Sequence, residues 1–228
     1  MTFQRARSEE QRTIRRQVIL DTAVAMLGEM PVGEVSLNEL SRRVGLAKSN
    51  VLRYFESREA VLLELLDRAW KQWTIDLSAQ LAAGVDRSAP VEVRGEQFAA
   101  VLAASVIGRE ILCDLFSAQA GVLEHNVSPQ VAARYKHAAL ANVGDLAALT
   151  RLHLPELEVG ADRLCAAMIM SIGAIWTHSR PSQAVLAAYE ADPSLAAMRM
   201  DLPADLRELL ATLVAGMLTR RRITAADG

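Results

Sequence analysis

Hydrophobic residues recur along this chain at helical rather than alternating spacing. In the first such stretch Ile14, Val18, Ile19, Thr22, Ala25, Met26 and Leu27 trace a broad stripe. It predicts a helix from about Ser8 to Glu29, ended by Pro31-Val32-Gly33. Short helices follow at Leu37–Arg43 and Lys48–Tyr54. A long one follows at about Arg58–Ala82, with Ala60, Val61, Leu63, Leu66, Ala69, Trp70, Trp73 and Leu77 as its buried positions. Gly84 to Pro90 reads as a break. Beyond it the pattern predicts helices at Val91–Ala104, Ile107–Leu123, Pro129–Leu152, Val159–Ser179 and Ala204–Arg222. Pro181 to Leu202 reads as a mixed connection holding a short helix at Ser182–Ala191, and Ile223–Gly228 as a frayed tail. The fold class is all-α: a three-helix head over 1–57 and a larger helical part over 58–228. The junction falls at a long helix, not at a flexible linker.

The head carries the most specific local pattern. Ser36 and Glu39 make a capping box, in which the hydroxyl accepts from the amide of residue 39 and the carboxylate bonds back. Leu37, Leu40 and Val44 line one face of a two-turn helix. Gly45 suits a turn that needs a left-handed backbone. Leu46 plugs the angle between two helices, and Val51 and Phe55, four apart, supply the buried face of the second. Lys48, Ser49, Asn50 and Arg53 are left facing outward, types that suit base edges and phosphates. The spacing therefore reads as a helix-turn-helix over Ser36–Phe55, with Lys48 and Asn50 at the end of the recognition helix that reaches bases.

Composition changes this picture only locally. The chain has 228 residues and a net charge of -2, which points to no polyanionic partner. Residues 1–16 nevertheless hold Arg5, Arg7, Arg12, Arg15 and Arg16 against Glu9 and Glu10, a balance of +3. Through residue 60 the balance is +2, which leaves -4 for the rest. A mildly basic head on an acidic body is compatible with nucleic acid, and Arg5 and Arg7 could form an arm along a groove or backbone. Cys113 and Cys165 have no metal or CxxC spacing and read as small buried hydrophobes. His125, His137, His153 and His178 pair with no carboxylates in a metal pattern, so neither metal nor cofactor is expected. There is no apolar signal region, and Leu164–Trp176 is shorter than the roughly 20 residues of a membrane span. A soluble, cytoplasmic protein with no membrane partner is expected.

The run Ser36–Phe55, extended by Glu56-Ser57-Arg58-Glu59-Ala60-Val61, resembles the DNA-binding region of the tetracycline-repressor (TetR) family of bacterial regulators. The resemblance covers about residues 10–65, plus the length and the all-helical plan. It implies that Ser36 and Lys48 contact phosphates, that Ser49, Asn50 and Arg53 face the groove, and that Tyr54 and Arg58 belong to the same DNA-binding set. Members often have Ser where Ala47 stands, as a helix cap, and Tyr where Leu52 stands. Arg53 is placed to take over part of that tyrosine's role.

The resemblance also implies a dimerisation and effector-binding body, with Val159–Ser179 and Ala204–Arg222 pairing across a homodimer. Independently, the first of these is apolar nearly all round, which demands cover on more than one face. Pocket walls are expected from Trp70, Trp73, Phe98, Leu102, Leu112, Cys113, Phe116, Met168 and Trp176. Polar groups would come from Asn142, His137 or His178. The expected function is a DNA-binding transcriptional regulator, a repressor released from a palindromic operator in double-stranded DNA by a small, largely apolar effector. The alternatives are a helical partner-binding or small-molecule-binding protein that does not use its head on DNA, or an enzyme. No GxSxG, P-loop, dinucleotide or HExxH motif favours the last.

Overall fold

The computed structural model describes the backbone over residues 2–158 and 160–226, and the side chains over 9–158 and 160–221. Arg5 and Arg7 lie outside the described side chains, and Val159 lies outside the described residues altogether. Among the described residues there are ten α-helices and no strand. They are α1 (Thr2–Leu27), α2 (Leu37–Val44), α3 (Lys48–Val51), α4 (Arg58–Gly84), α5 (Val91–Ser105), α6 (Glu110–Ala118), α7 (Pro129–His153), α8 (Gly160–His178), α9 (Gln183–Ala191) and α10 (Leu202–Ala226).

Five expectations are corrected. α1 starts at Thr2, upstream of Ser8, and α10 continues to Ala226 instead of fraying from Ile223. The single helix expected over Ile107–Leu123 is split: a turn precedes Glu110, and α6 gives way after Ala118 to a π-helical turn over Gln119–Leu123. α3 ends at Val51, not Tyr54, because the next amides close tighter turns, Arg53 N to Asn50 O and Tyr54 N to Val51 O. Ile14 and Val18 are exposed, since α1 buries Ile19, Leu20, Ala23 and Met26 and the other two fall one step round the helix from that face.

The chain forms two compact units. The first comprises residues up to Arg68 with Ala118–His137, and the second Ala69–Ser117 with the residues from Ala138 on. In the first unit, Ile19, Leu20, Met26, Leu40, Val51, Phe55, Leu62 and Leu66 form the core. The segment after α6 joins it: the Glu56 carboxylate accepts from the Ser128 amide (2.6 Å) and hydroxyl (2.8 Å), capping the start of α7 from a distant part of the chain. Nothing in sequence adjacency signals that attachment.

In the second unit α10 packs on α5 and α8. Trp73, Leu77, Phe98, Leu102, Leu115 and Met168 are fully buried there. Arg94 of α5, largely buried, donates to the His153 carbonyl at 2.6 Å and pairs with Glu156, which fixes the end of α7. By contrast α9 and the 3-10 helix over Pro193–Met198 bury no residue within the chain.

Candidate nucleic-acid interface

The helix-turn-helix has the Ser36 cap and the Gly45 turn that its spacing implies. The Ser36 hydroxyl accepts from the Glu39 amide at 3.1 Å and caps α2. The reciprocal half of the capping box is not made: the Glu39 carboxylate instead receives Arg42 (2.6 and 2.8 Å) and Arg43 (2.8 Å). Those two guanidiniums hold its carboxyl down at about 2. Gly45 ends α2 with φ 73 and ψ 28, the left-handed geometry its place in the turn implies. Ala47 stands at the cap of α3 with no side-chain hydrogen bond.

Val51 and Phe55 are buried beneath α3 and the turn that follows, while Lys48, Ser49, Asn50 and Arg53 are exposed. Leu52, at the position where the resemblance expects a tyrosine, is also exposed. Tyr54 is half-buried and its carbonyl accepts from Arg16 at 2.8 Å. Arg16 also pairs with Glu64 and lies 4.0 Å over the Phe55 ring. It therefore pins the end of the recognition segment to α1 and α4, a role that sequence spacing did not disclose.

Arg58, expected in the DNA-binding set, makes hydrogen bonds within the chain. Its donors go to Glu59 (2.8 Å) and to the carbonyls of Gly33 (3.1 Å) and Val35 (2.7 Å). This ties the start of α4 to the loop before α2.

The expected pocket walls divide by burial. Trp70, Trp73, Phe98, Leu102, Leu112, Cys113, Phe116, Met168, Trp176 and Asn142 are buried. Trp70 and Phe116 meet edge to face at 5.0 Å, and Trp73 joins them at 6.2 Å from Phe116. The Trp73 indole donates to Ser105 at 2.8 Å and that of Trp176 to Asp114 at 2.6 Å, while the buried Trp70 Nε1 has no partner among the described residues. His137 and His178 are exposed, so they do not line an enclosed pocket. Burial pushes the thiols of Cys113 and Cys165 up to about 12 and about 11, which fits small buried hydrophobes. Among the described residues no cluster of His, Cys, Asp and Glu could hold a metal, and no helix is long and apolar enough to cross a membrane.

Sequence comparison agrees with this geometry. Residues 19–65 match the model of bacterial regulatory proteins of the tetR family. Residues 67–221 match that of the tetracyclin repressor-like C-terminal domain. The HTH-type transcriptional regulators EthR of Mycobacterium tuberculosis and Mycobacterium bovis are 37% identical over 75 residues, 32% of this chain. That match spans only 35% of their own length. The solved structure of the fatty acid degradation regulator FadR from Bacillus halodurans shares the fold at a TM-score of 0.52 and 14% identity, covering 88% of this chain and 98% of that one. With both family models matched in order along the helix-turn-helix and the helical body, the chain belongs to the tetR family of bacterial regulatory proteins.

Proposed function

We propose that this chain is a cytoplasmic homodimeric repressor that reads a palindromic operator in double-stranded DNA and is released by a small, largely apolar effector. The observation that carries the reading is the exposed face of α3 and its following turn. Lys48, Ser49, Asn50 and Arg53 project there from a segment fixed by Val51, Phe55 and Arg16. Of these, Asn50 and Lys48 are the types that read adenine and guanine in the major groove. Ser36 and Tyr54 serve the flanking phosphates. Arg58 acts indirectly, by holding the loop before α2.

A two-fold pair of such heads reads two half-sites about 34–36 Å apart. Support for the pairing comes from the uncovered faces of α8 and α10, where Met170 is 69% and Leu209 37% exposed. Support for the effector comes from the buried aromatic group of Trp70, Trp73 and Phe116, whose unpartnered Trp70 Nε1 offers one donor to an acceptor on an otherwise apolar molecule. Release requires that the effector bind the DNA-incompetent arrangement more tightly than the competent one.

The test is selection of duplexes from a random DNA pool, followed by affinity measurement on the winner. A palindromic consensus is expected. Replacing Lys48 and Asn50 by Ala is expected to lower affinity for the selected duplex by about 10-fold or more for each base left unread. Unchanged affinity in both variants would overturn the assignment of α3, and the absence of any selected sequence would overturn specific DNA recognition.

A further inference from the structure

The described cations from Arg12 to Arg58 fall into two groups. Arg16 pairs with Glu64, Arg42 with Glu39, Arg43 with Glu29 and Glu39, and Arg58 with Glu59. Arg12, Arg15, Lys48 and Arg53 are exposed and have no ion-pair partner among the described residues. Three of these four line one open groove of about 730 Å³, together with Gln11, Ile14, Val18 and Tyr54. Among the described residues no carboxylate lines it. One wall is α1 and the other is the turn that continues α3.

We propose that this groove seats DNA backbone phosphates, so that contact with the duplex extends from α3 onto α1, with Arg12, Arg15 and Arg53 as the phosphate ligands. The inference rests on the DNA-binding reading and adds residues that the helix-turn-helix alone does not supply. Three lines support it. Arg12 and Arg15 are three apart, so they share a face of α1. Their charges are uncompensated among the described residues, although the head contains carboxylates that neutralise its other arginines. Ile14 and Val18, 56% and 41% exposed, add an apolar surface between the guanidiniums, which fits the alternating phosphate and sugar of a backbone better than a lone anion. An open groove also suits a strand passing through it more than an enclosed ligand. Arg53 and Tyr54 join it to the face of α3, which makes duplex DNA the occupant that one docking pose satisfies.

Phosphate contacts are read by salt dependence, since each neutralised phosphate contributes about -0.9 to the slope of log K against log salt. The experiment measures binding of the full-length chain to a long mixed-sequence duplex by fluorescence anisotropy over a salt series. The Arg12→Gln/Arg15→Gln variant is expected to flatten the slope by about 1–2 and to weaken binding about 10-fold at moderate salt. The Arg12→Lys/Arg15→Lys variant, which keeps the charge, is expected to restore most of the slope. Arg199→Gln, an equal loss of charge per residue on an exposed site in the second unit, serves as control and is expected to leave the slope unchanged. If wild-type and Gln variants share one slope, the groove proposal is overturned while DNA binding stands. The same holds if the Gln pair loses only binding to heparin, a non-nucleic polyanion, or if Arg199→Gln flattens the slope as much as one groove arginine. If the wild-type chain shows no salt-sensitive binding to any duplex, the DNA-binding reading itself fails, and the groove with it.

Discussion

Ala47 sits at the cap of α3 with φ -59 and ψ 143, and nothing on its side chain receives an amide. The four-residue α3 therefore begins with its first N–H groups unserved by a side chain, unlike α2, which has Ser36. A hydroxyl fits that backbone, so Ala47→Ser is expected to stabilise the chain by about 1 kcal/mol. For a chain of this size that corresponds to a rise of about 2–4 °C in Tm, read by thermal unfolding. An unchanged Tm would mean that water already serves those amides as well. At this scale the sequence was legible wherever one side chain had one neighbour to serve. Ser36 and Gly45 do what their types and spacing imply. The back-bond of Glu39 was not legible, because two guanidiniums at i+3 and i+4 compete for its carboxylate and the charged partners win over a single neutral amide.

Among elements, helix identity followed from periodicity, whereas helix ends and faces depended on what packs outside the helix. α3 is shorter than its pattern because the chain must turn to bring Phe55 under it. Ile14 and Val18 continue the apolar count of α1 but not its buried face. The close approach of α8 to α6 is a further case. A Cβ placed on Gly173 would lie 3.1 Å from the Phe116 carbonyl carbon and 3.2 Å from its oxygen. The obstacle is backbone, which does not rotate away. Gly173→Ala is expected to destabilise by about 1–3 kcal/mol, measured as a lower urea midpoint at unchanged m-value. Gly144→Ala, on α7 with nothing within 4 Å of the added carbon, is expected to be neutral or to stabilise by up to about 1 kcal/mol. Equal effects at the two sites would mean that α8 has room to shift from α6. In the sequence Gly173 is a small residue among large apolar neighbours, and nothing there says which helix approaches it.

At the scale of the whole molecule the apolar character of α8, nearly continuous in sequence, resolves into two faces. Leu164, Cys165, Met168, Ile172 and Ile175 are covered within the chain. Ala166, Met170 and Ala174, spaced four apart, are not. Small residues on either side of one exposed methionine make a flat strip against which a second helix lies closely, and a two-fold axis would bring the same strip of a second chain there. A palindromic site read by two heads requires such a pairing. The chain is accordingly expected to sediment as a dimer at micromolar concentration. Met170→Glu would bury an uncompensated carboxylate at the centre of the strip, at a cost of several kcal/mol, and raise the dimer Kd by about 100-fold or more. The monomer should keep its helical circular dichroism, because Met170 contributes little to the core of its own chain. It should bind a single half-site as before and lose the gain in affinity from two linked half-sites. A Met170→Glu chain that still sediments as a dimer would place the two-fold axis on another surface. One that dissociates yet keeps full affinity for the complete palindrome would show that the two heads bind independently, without the strip.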